Sequence, residues 1–406
     1  MTNLPQGWEV KTLSEIGEII TGSTPSKSNV EFYGKDYPFF KPSDFEQGYF
    51  LENAGDNLSK LGFDKARQLP PKTILVVCIG SLGKVALTRV IGSCNQQINA
   101  IIPHKNIIAE YIYYYCISSK FQSILFSKAP QTTLAILNKT EFSKLEIIYP
   151  KNIKEQERIV GILDESFAKI DESIKILEQD LLNLDELMQS ALQKAFNPLK
   201  DNAKENYKLP QGWEWKSLNS VLLKTSNINP CDFNENKFYY IDISSIDNKN
   251  FCICDIKIID KQNAPSRARK DVLCGDILYA TTRPNLKNIA INYYDFNNIV
   301  ASTGFCVLRA NKNLNNKYLF FFLLSDIFDK NISKYIRGTQ YPSVSDKDVF
   351  NSKIPLPPLQ EQEQIASHLD ELSSHVKNLK QNYQAQIKDL QELKNSLLDK
   401  AFKGNL

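Results

Sequence analysis

The stretch RIVGILDESFAKIDESIKILEQDLLNLDELMQSALQKAF, residues Arg158–Phe196, repeats apolar side chains at alternating spacings of three and four. This spacing places the apolar positions along one seam of a helix and predicts a left-handed supercoil with a partner helix. Asn197 and Pro198 predict the end of the helix, because the residue before a proline is disfavoured in the helical conformation. The apolar seam consists of Val160, Leu163, Phe167, Ile170, Ile174, Leu177, Leu181, Leu184, Met188, Ala191 and Ala195.

A second helical stretch lies near the end of the sequence and is related to the first. EQERIVGILDE (Glu155–Glu165) recurs as EQEQIASHLDE (Glu361–Glu371), and ELMQSALQKAF (Glu186–Phe196) recurs as ELKNSLLDKAF (Glu392–Phe402), both at an offset of 206. Because neither helix can bury its seam alone, the simplest prediction is an antiparallel coiled coil of the two helices. The alternative is that each helix packs separately on its own domain. The second seam, which contains one shift of register, consists of Leu369, Leu372, Val376, Leu379, Tyr383, Ile387, Leu390, Leu393 and Leu397.

The long segments that precede each helix also repeat. LPQGWE occurs at Leu4–Glu9 and again at Leu209–Glu214, and TILVVCIGSLGK (Thr73–Lys84) parallels DILYATTRPNLK (Asp276–Lys287). Both segments combine short strand-like runs, broken by Gly, Pro and Asn, with an aromatic helix candidate. We therefore predict a mixed α/β fold with an internal pseudo-twofold repeat.

The repeats divide the chain into four parts. Residues 1–150 and 201–355 are predicted to form two globular α/β domains, separated by long spacer helices in residues 151–200 and 356–406. The formal net charges are +2 and +5 for the two domains, and −3 and −1 for the two helical parts. A basic charge on the domains favours a nucleic-acid partner, and an acidic charge on the helices favours protein partners.

Composition argues against several other classes of protein. An apolar fraction of 42% with 22 phenylalanines indicates globular domains, and no apolar run is long enough to cross a bilayer. The first residues lack the pattern of a signal peptide, which predicts a cytoplasmic protein. The eight cysteines are scattered and form no C-x-x-C, so reduced thiols are expected and no metal site is predicted.

The chain contains no convincing catalytic motif. CIGSLGK (Cys78–Lys84) lacks the first glycine and the final Ser/Thr of a phosphate-binding loop. The motifs H-E-x-x-H and G-x-S-x-G are missing, as is the N-P-P-[YF] run of amino-methyltransferases. With three histidines in the chain, general acid–base chemistry is not expected. We predict no catalytic residue and no cofactor.

Polar and basic residues cluster between the predicted strands at parallel places in both halves. Such side chains contact phosphates and base edges in DNA complexes, although each cluster on its own is more often a solvated loop. The candidates in the first half are Lys41, Ser81, Lys84, Gln96, Gln97, Thr132 and Thr133. The candidates in the second half are Arg267, Arg269, Lys270, Thr282, Arg283, Lys287, Arg337, Thr339 and Gln340. For Arg283 and Arg337 the alternative is that either one neutralises a helix end or a buried acid.

This organisation resembles the specificity (S) subunits of Type I restriction–modification systems, over essentially the whole chain. Both halves open with LPQGWE, and the second half carries GDILYATTRPNLK, then ASTGF (Ala301–Phe305), then RGTQYPSVSDKDV leading into IPLPPLQEQEQIASHLD, and finally SLLDKAFKGNL. The first half departs from the pattern at IIYPKNIKEQERIV and at QINA (Gln97–Ala100), where the second half reads STGF. The two halves are therefore expected to read different half-sites.

The resemblance implies a DNA reader without catalysis of its own. Each domain is then a target-recognition domain that contacts one part of a bipartite, asymmetric site in double-stranded DNA. The helices act as a ruler for the spacer and dock two adenine methyltransferase (M) subunits, which motor-nuclease (R) subunits join. Outward leucines expected to take part in docking are Leu182, Leu187, Leu192, Leu372 and Leu398. Two other functions stay open, namely a coiled-coil adaptor between protein-binding domains and a bifunctional nuclease or methyltransferase, and the missing motifs disfavour the latter.

Overall fold

The computed structural model describes residues 4–129, 135–200 and 207–406. It has the predicted mixed α/β fold, with two sheet-containing domains and two long helices. The chain divides into two compact units, of which the first comprises Met1–Leu177 and Ala385–Leu406 and the second comprises Glu178–Gln384. Each unit therefore contains one sheet-containing domain and a part of each long helix.

The first unit is built around a five-stranded and a three-stranded sheet. Its elements are β1 (Trp8–Thr12), α1 (Leu13–Ile16), β2 (Gly17–Thr21), β3 (Tyr33–Phe40), β4 (Phe50–Leu51), β5 (Asp56–Leu58), α2 (Lys60–Lys65), β6 (Ile74–Val77), β7 (Val85–Thr88), β8 (Ser93–Cys94), β9 (Ile98–Pro103), α3 (Ala109–Ile117), α4 (Ser119–Lys128), α5 (Lys139–Ser143), β10 (Glu146–Pro150) and the long α6 (Ile153–Phe196). The larger sheet has the order β2-β9-β6-β7-β4, the smaller has the order β5-β3-β8, and β1 pairs with β10.

The second unit repeats this arrangement with two four-stranded sheets. Its elements are β11 (Glu214–Ser217), α7 (Leu218–Val221), β12 (Leu222–Leu223), β13 (Lys237–Ile241), β14 (Ile246–Asp247), β15 (Cys252–Ile253), β16 (Lys257–Asp260), β17 (Ala268–Asp271), β18 (Ile277–Ala280), β19 (Ile289–Ile291), β20 (Ile299–Ser302), β21 (Phe305–Ala310), α8 (Asn316–Leu324), α9 (Asp326–Ser333), α10 (Asp346–Asn351), β22 (Lys353–Leu356) and the long α11 (Leu359–Ala401). The sheets have the orders β12-β21-β18-β19 and β16-β13-β20-β17, while β14 pairs with β15 and β11 with β22.

One strand in each unit, β6 in the first and β18 in the second, is buried on both faces. In β6, Ile74 and Val76 belong to the core that contains the aromatic helix α3, whereas Leu75 and Val77 belong to a second core. Successive side chains of a strand point to opposite faces, so a strand between two cores needs a continuous apolar run rather than alternation. The runs ILVV in β6 and ILYA in β18 satisfy this requirement in the two units.

The long helices run antiparallel within each unit. In the first unit, Leu163 near the start of α6 shares a core with Leu398 near the end of α11. In the second unit, Leu192 near the end of α6 shares a core with Leu369 near the start of α11. The antiparallel pairing predicted from the apolar seams is therefore confirmed. Within the described ranges, no helix is long and apolar enough to span a membrane.

Two of the leucines predicted to face outward are buried instead. Leu192 and Leu398 are 1% and 2% exposed, because the sheet-containing domain of each unit covers the helix end on which the leucine lies. Leu182 and Leu187 are 58% and 48% exposed, and Leu372 is half-buried. The outward prediction is therefore wrong for the leucines at the helix ends and correct for those nearer the middle of α6.

The repeated EQE motif at the start of each long helix joins that helix to its domain. The side chain of Gln156 is fully buried, and its oxygen accepts a hydrogen bond of 2.9 Å from the backbone N–H of Ile108, just before α3. Its amide group donates to the carbonyl of Pro150 at 2.9 Å. Gln362 makes the corresponding bonds in the second unit. A buried amide is costly unless its groups are paired, so these bonds fix where each helix begins.

Candidate nucleic-acid interface

Three segments of the first domain meet at the turn between β6 and β7. The backbone N–H of Cys78 donates to the carbonyl of Gln97 at 2.8 Å, which joins this turn to the turn between β8 and β9. Leu137 donates to the carbonyl of Cys78 at 2.9 Å, and Gly80 donates to the carbonyl of Ala135 at 3.2 Å. The segment that follows α4 is thereby held against the same turn.

The second domain makes the same three backbone hydrogen bonds. Thr281 donates to the carbonyl of Gly304 at 2.9 Å, Val344 donates to the carbonyl of Thr281 at 2.9 Å, and Arg283 donates to the carbonyl of Pro342 at 2.7 Å. The turn between β18 and β19 therefore meets the β20–β21 turn and the segment that follows α9. Backbone bonds do not depend on side-chain identity, so each domain can present different side chains on one framework.

The two turns differ at their left-handed positions. Gly80 and Gly83 have φ values of 83° and 89° in the first domain, whereas Arg283 and Lys287 both have a φ of 50° in the second. Arg283 aligns with Gly80, and Lys287 takes the place of Gly83 because the loop of the second domain is one residue longer. Gly83 and Lys287 each directly precede the residue whose carbonyl accepts a hydrogen bond from the end of the strand, from Val77 to Lys84 and from Ala280 to Asn288. A left-handed conformation costs a residue other than glycine roughly 1–2 kcal/mol. The second domain keeps long basic side chains at two places where glycine would relieve strain. Such strain is an indication that these side chains contribute something beyond the turn itself.

The predicted residues of the first domain come together in part. Ser81 and Gln96 are exposed, and the side-chain amide of Gln97 donates to the carbonyl of Ile79 at 3.4 Å. Lys84 forms an ion pair with Glu46, in the 3₁₀ turn after β3, and this hydrogen bond lowers the pKa of Glu46. These residues surround the β6–β7 turn on its solvent side.

Lys41 is held within the first domain. Its ammonium group pairs with Asp56, and burial together with the positive charge of Lys27 lowers its pKa. The other two predicted residues, Thr132 and Thr133, lie outside the described residues.

The predicted residues of the second domain form a denser group. Thr282 and Arg283 are exposed in the β18–β19 turn, and Thr282 forms a bridge with Ser343. A short hairpin carries Arg337, Thr339 and Gln340, all of which are exposed, and is closed by two hydrogen bonds of 2.9 Å between Arg337 and Ser343.

Arg267 is also exposed beside this group. Its carbonyl accepts a hydrogen bond of 2.8 Å from Thr303 in the β20–β21 turn. The exposed members of the predicted set in the second domain therefore surround one set of turns.

Four of the predicted cations have partners within the second domain. Lys270 pairs with Asp346 at 2.7 Å, and Lys287 pairs with Asp329 at 2.6 Å, while Arg269 donates to the carbonyl of its neighbour Ala268. These three are half-buried. The guanidinium of Arg337 lies 3.5 Å from Asp348, although its side chain is 70% exposed. The alternative stated for Arg337, pairing with a buried acid, is therefore what the structure shows, but the side chain stays open to solvent.

Several residues at these turns were missed by the sequence reasoning. The hydroxyl of Thr24 donates to the side chain of Gln96, and Lys27 lies close to Lys41, so the loop GSTPSKS joins the first site. In the second site, Thr303 and Tyr341 are exposed beside the predicted residues. A run of Gly, Ser, Thr and Pro between strands was the available signal for the loop, and the motifs ASTGF and RGTQYPS contained the other two.

The described residues contain no group of three or more His, Cys, Asp or Glu side chains that could hold a metal ion. All eight cysteines are free thiols. Burial raises the pKa of Cys78 and of Cys94 to about 12, so neither is a reactive thiolate at neutral pH. The two turn clusters, which are the β6–β7 and β18–β19 turns with the segments bonded to them, present hydrogen-bonding groups and positive charge.

Comparison with known proteins identifies relatives of this chain. The family model described as "Type I restriction modification DNA specificity domain" matches twice, at residues 5–181 and 210–389. The chain is 39% identical over 188 residues to the Type I restriction enzyme HindI specificity subunit of Haemophilus influenzae, a match that covers 44% of this chain and 40% of that relative. It is 26% identical over 419 residues to the Type I restriction enzyme MjaIX specificity subunit of Methanocaldococcus jannaschii, which covers 99% of this chain and 94% of that one.

A solved structure shares the fold over the full length of both chains. It is described as "Structural basis underlying complex assembly and conformational transition of the type I R-M system", and the superposition has a TM-score of 0.79 at 20% sequence identity, with 100% of each chain covered. The HsdS subunit of Thermoanaerobacter tengcongensis superposes with a TM-score of 0.59 at 22% identity and covers 99% of this chain and 98% of that one. At these identities the similarity concerns the fold.

Proposed function

The chain belongs to the Type I restriction modification DNA specificity family, and from this premise we propose that it recognises a bipartite, asymmetric site in double-stranded DNA. The observation that carries the proposal is the turn cluster, which occurs twice with the same backbone hydrogen bonds and different side chains. A duplicated framework with unequal side chains suits two half-sites of unequal sequence. Base edges in the major groove are distinguished by the hydrogen-bonding groups that such turns present.

Each part of the chain has a role in this proposal. Residues 1–150 and 201–355 are the two target-recognition domains, and residues 151–200 and 356–406 are the spacer helices. The helices set the number of base pairs between the half-sites. The chain itself supplies recognition, and the chemistry resides in its partners.

The partners are two methyltransferase subunits that dock on the long helices. Leu187 of α6 and Leu393 of α11 occupy equivalent positions of the repeat and are 48% and 46% exposed. In the second unit, Leu187 lines an open groove together with Ile365, Leu369 and Leu372. An apolar groove on paired helices is suited to further helices that complete a bundle. Motor-nuclease subunits then join the complex of the chain with its methyltransferases.

The test is to find which adenines become methylated. The chain is expressed together with the methyltransferase encoded beside it, in cells without other adenine methylation, and the methylated positions are mapped across the genome. We expect one bipartite motif with a fixed spacer. Substituting turn residues of the second domain, such as Arg283→Ala, should alter one half of the motif and leave the other half unchanged.

Two outcomes contradict the proposal. Methylation without any bipartite motif, or a change in both halves after a substitution in one domain, is incompatible with one reader per domain. If the chain is instead a protein-binding adaptor, the purified complex of the chain with its methyltransferase should bind no DNA. Gel-shift measurements on the same complex separate that case from an inactive methyltransferase.

A further inference from the structure

Arg283 occupies a backbone position that the first domain gives to glycine. Both Gly80 and Arg283 adopt a positive φ and donate their backbone N–H to the segment that closes the turn cluster. The residue that follows Arg283 is Pro284, which begins a short 3₁₀ turn. The fold at this place therefore needs a left-handed residue but not an arginine, so whatever the arginine contributes comes from its side chain.

The guanidinium of Arg283 has one neighbour of note, which is the ring of Tyr341. The guanidinium carbon lies 5.4 Å from the centre of that ring, and the tyrosine is 68% exposed. Among the described residues, Arg283 has no carboxylate within ion-pair distance, in contrast to Lys270, Lys287 and Arg337. Its side chain is thus oriented by an aromatic ring instead of an acid.

The backbone holds Tyr341 at this place. The residue belongs to the hairpin that two hydrogen bonds between Arg337 and Ser343 close. Gly338 has a φ of 84°, and a side-chain carbon there would lie 2.9 Å from the carbonyl oxygen of Tyr341, so the tight hairpin requires glycine. The Arg283 N–H donates to the carbonyl of Pro342, next to the tyrosine. The main chains of Tyr341 and Arg283 are therefore held side by side, and this places the ring within reach of the guanidinium.

We propose that Tyr341 is a positioning residue for Arg283, and that the two side chains act as one unit that reads a guanine in the half-site of the second domain. The proposal rests on the proposed DNA-binding function and names how one base is read. A ring beside the guanidinium favours one orientation without occupying its N–H donors, as a carboxylate would. The free donors then match the O6 and N7 acceptors of guanine, which arginine contacts in pairs.

The test compares four variants in the complex of the chain with its methyltransferase. Binding is measured for Arg283→Ala, Tyr341→Ala, Tyr341→Phe and the Arg283→Ala/Tyr341→Ala double variant, on DNA duplexes that carry each base at every position of the second half-site. Arg283→Ala should lower the preference for guanine at one position by about ten-fold or more. Tyr341→Ala should lower the preference at the same position, and Tyr341→Phe should keep it because the ring is retained. The double variant should be no worse than Arg283→Ala alone.

Tyr293→Ala is the matched control. This tyrosine is 64% exposed in the same unit, but it lies beyond the far end of β19 from the turn, so its removal should change no base preference. Thermal unfolding of every variant shows whether the domain stays folded, and the exposure of Tyr341 predicts that it does.

The possible results separate this inference from the proposed function. An unchanged guanine preference in Tyr341→Ala, together with a changed one in Arg283→Ala, overturns the positioning role and leaves the DNA-binding function standing. A loss in Tyr341→Phe overturns it as well, since the hydroxyl would then be the group that acts. A wild-type complex without sequence preference overturns the proposed function itself.

Discussion

The two domains build one turn from opposite kinds of residue. The β6–β7 turn of the first domain uses Gly80 and Gly83 at its left-handed positions, and the β18–β19 turn of the second uses Arg283 and Lys287. Glycine makes such a turn without strain and contributes no side chain, whereas the basic residues accept strain and contribute cations. The comparison shows that the backbone framework is common to both halves and that the side chains on it are free to differ.

A second difference lies at the joint of each unit, by which we mean the contact between the sheet-containing domain and the long helices. In the first unit, Tyr49 stacks on Phe50 and Tyr113 with ring centres 4.0 Å apart in each case, and Phe167 of α6 packs against Tyr114. The second unit has Ser373 at the place that corresponds to Phe167. A cavity of about 250 Å³ remains there, lined by Met188, Phe251, Phe320, Phe321 and Ser373 among others. The first joint is therefore more completely filled than the second.

The largest expected effect concerns the equivalent leucines of the two helices. Leu187→Asp and Leu393→Asp each place a carboxylate on a surface proposed to be buried by one methyltransferase subunit, at a cost that a protein interface does not tolerate. Each single variant should keep one partner, and the double variant should keep none and methylate no DNA. Light scattering of the purified complexes measures the stoichiometry.

Leu273→Asp is the control for this pair of substitutions. Leu273 is 51% exposed in the second domain and is not on a long helix, so its substitution should leave the complex intact. A double leucine variant that still carries two methyltransferases would place the docking surface elsewhere on the chain.

The next prediction tests whether the long helices set the length of the spacer between the two half-sites. The ion pair Asp171–Lys394 joins the helices in the first unit, and Asp185–Lys380 joins them in the second. Each helix has an equal number of residues between its two paired positions, 172–184 in α6 and 381–393 in α11. A seven-residue insertion in both stretches lengthens the helices by about 10 Å and keeps the heptad seam in phase. The spacer in the methylated motif should grow by at most about three base pairs, with both half-sites unchanged.

An insertion in α6 alone is the matched control for the ruler. It puts the two seams out of register, so it should lower stability and activity instead of producing a new spacer. Mapping of methylated adenines provides the measurement for both variants. If the variant with both insertions still methylates DNA and the motif keeps its original spacer length, the helices do not set that length.

The sequence predicted the helices and the repeat more completely than it predicted the partners of the cations. A heptad seam is local, so Leu163 and Leu369 could be placed on it before the structure was available. Leu192 was misplaced because a helix end has a second neighbour, the domain, that the seam does not reveal. The ion pair of Lys287 with Asp329 depends on how α9 packs, which no local pattern encodes.

A smaller effect is expected within a single turn, where two basic residues are compared. Arg283→Gly relieves the strain of the left-handed backbone without breaking an ion pair, so the free energy of unfolding should be unchanged or rise by about 1 kcal/mol. The affinity for the second half-site should fall about ten-fold, because the arginine side chain is lost. Lys287→Gly also removes strain, but it leaves the half-buried carboxylate of Asp329 without its cation, and partial burial already raises the pKa of that carboxyl. Because that carboxylate is 37% exposed, we expect a loss of about 1 kcal/mol, with the base preference kept.

Denaturant unfolding and DNA binding, measured on both glycine variants, decide between these roles. The expected result is a crossed pattern, with binding lost in one variant and stability lost in the other. Equal loss of base preference in both variants would make Lys287 a reading residue, and equal loss of stability would make Arg283 a structural one.

The smallest effect is expected at the joint of the first unit. The hydroxyl of Tyr49 is buried close to that of Tyr114 but makes no well-formed hydrogen bond within the described residues, whereas the second joint is lined by phenylalanines. Tyr49→Phe should therefore raise the free energy of unfolding by about 1 kcal/mol, because an unpaired buried hydroxyl costs about 1–3 kcal/mol. Tyr114→Phe is the control, and it should lower stability by a similar amount, since the Tyr114 hydroxyl donates to Asp164 at 2.6 Å. Thermal unfolding measures both, and a loss of stability in Tyr49→Phe would mean that its hydroxyl is paired in solution.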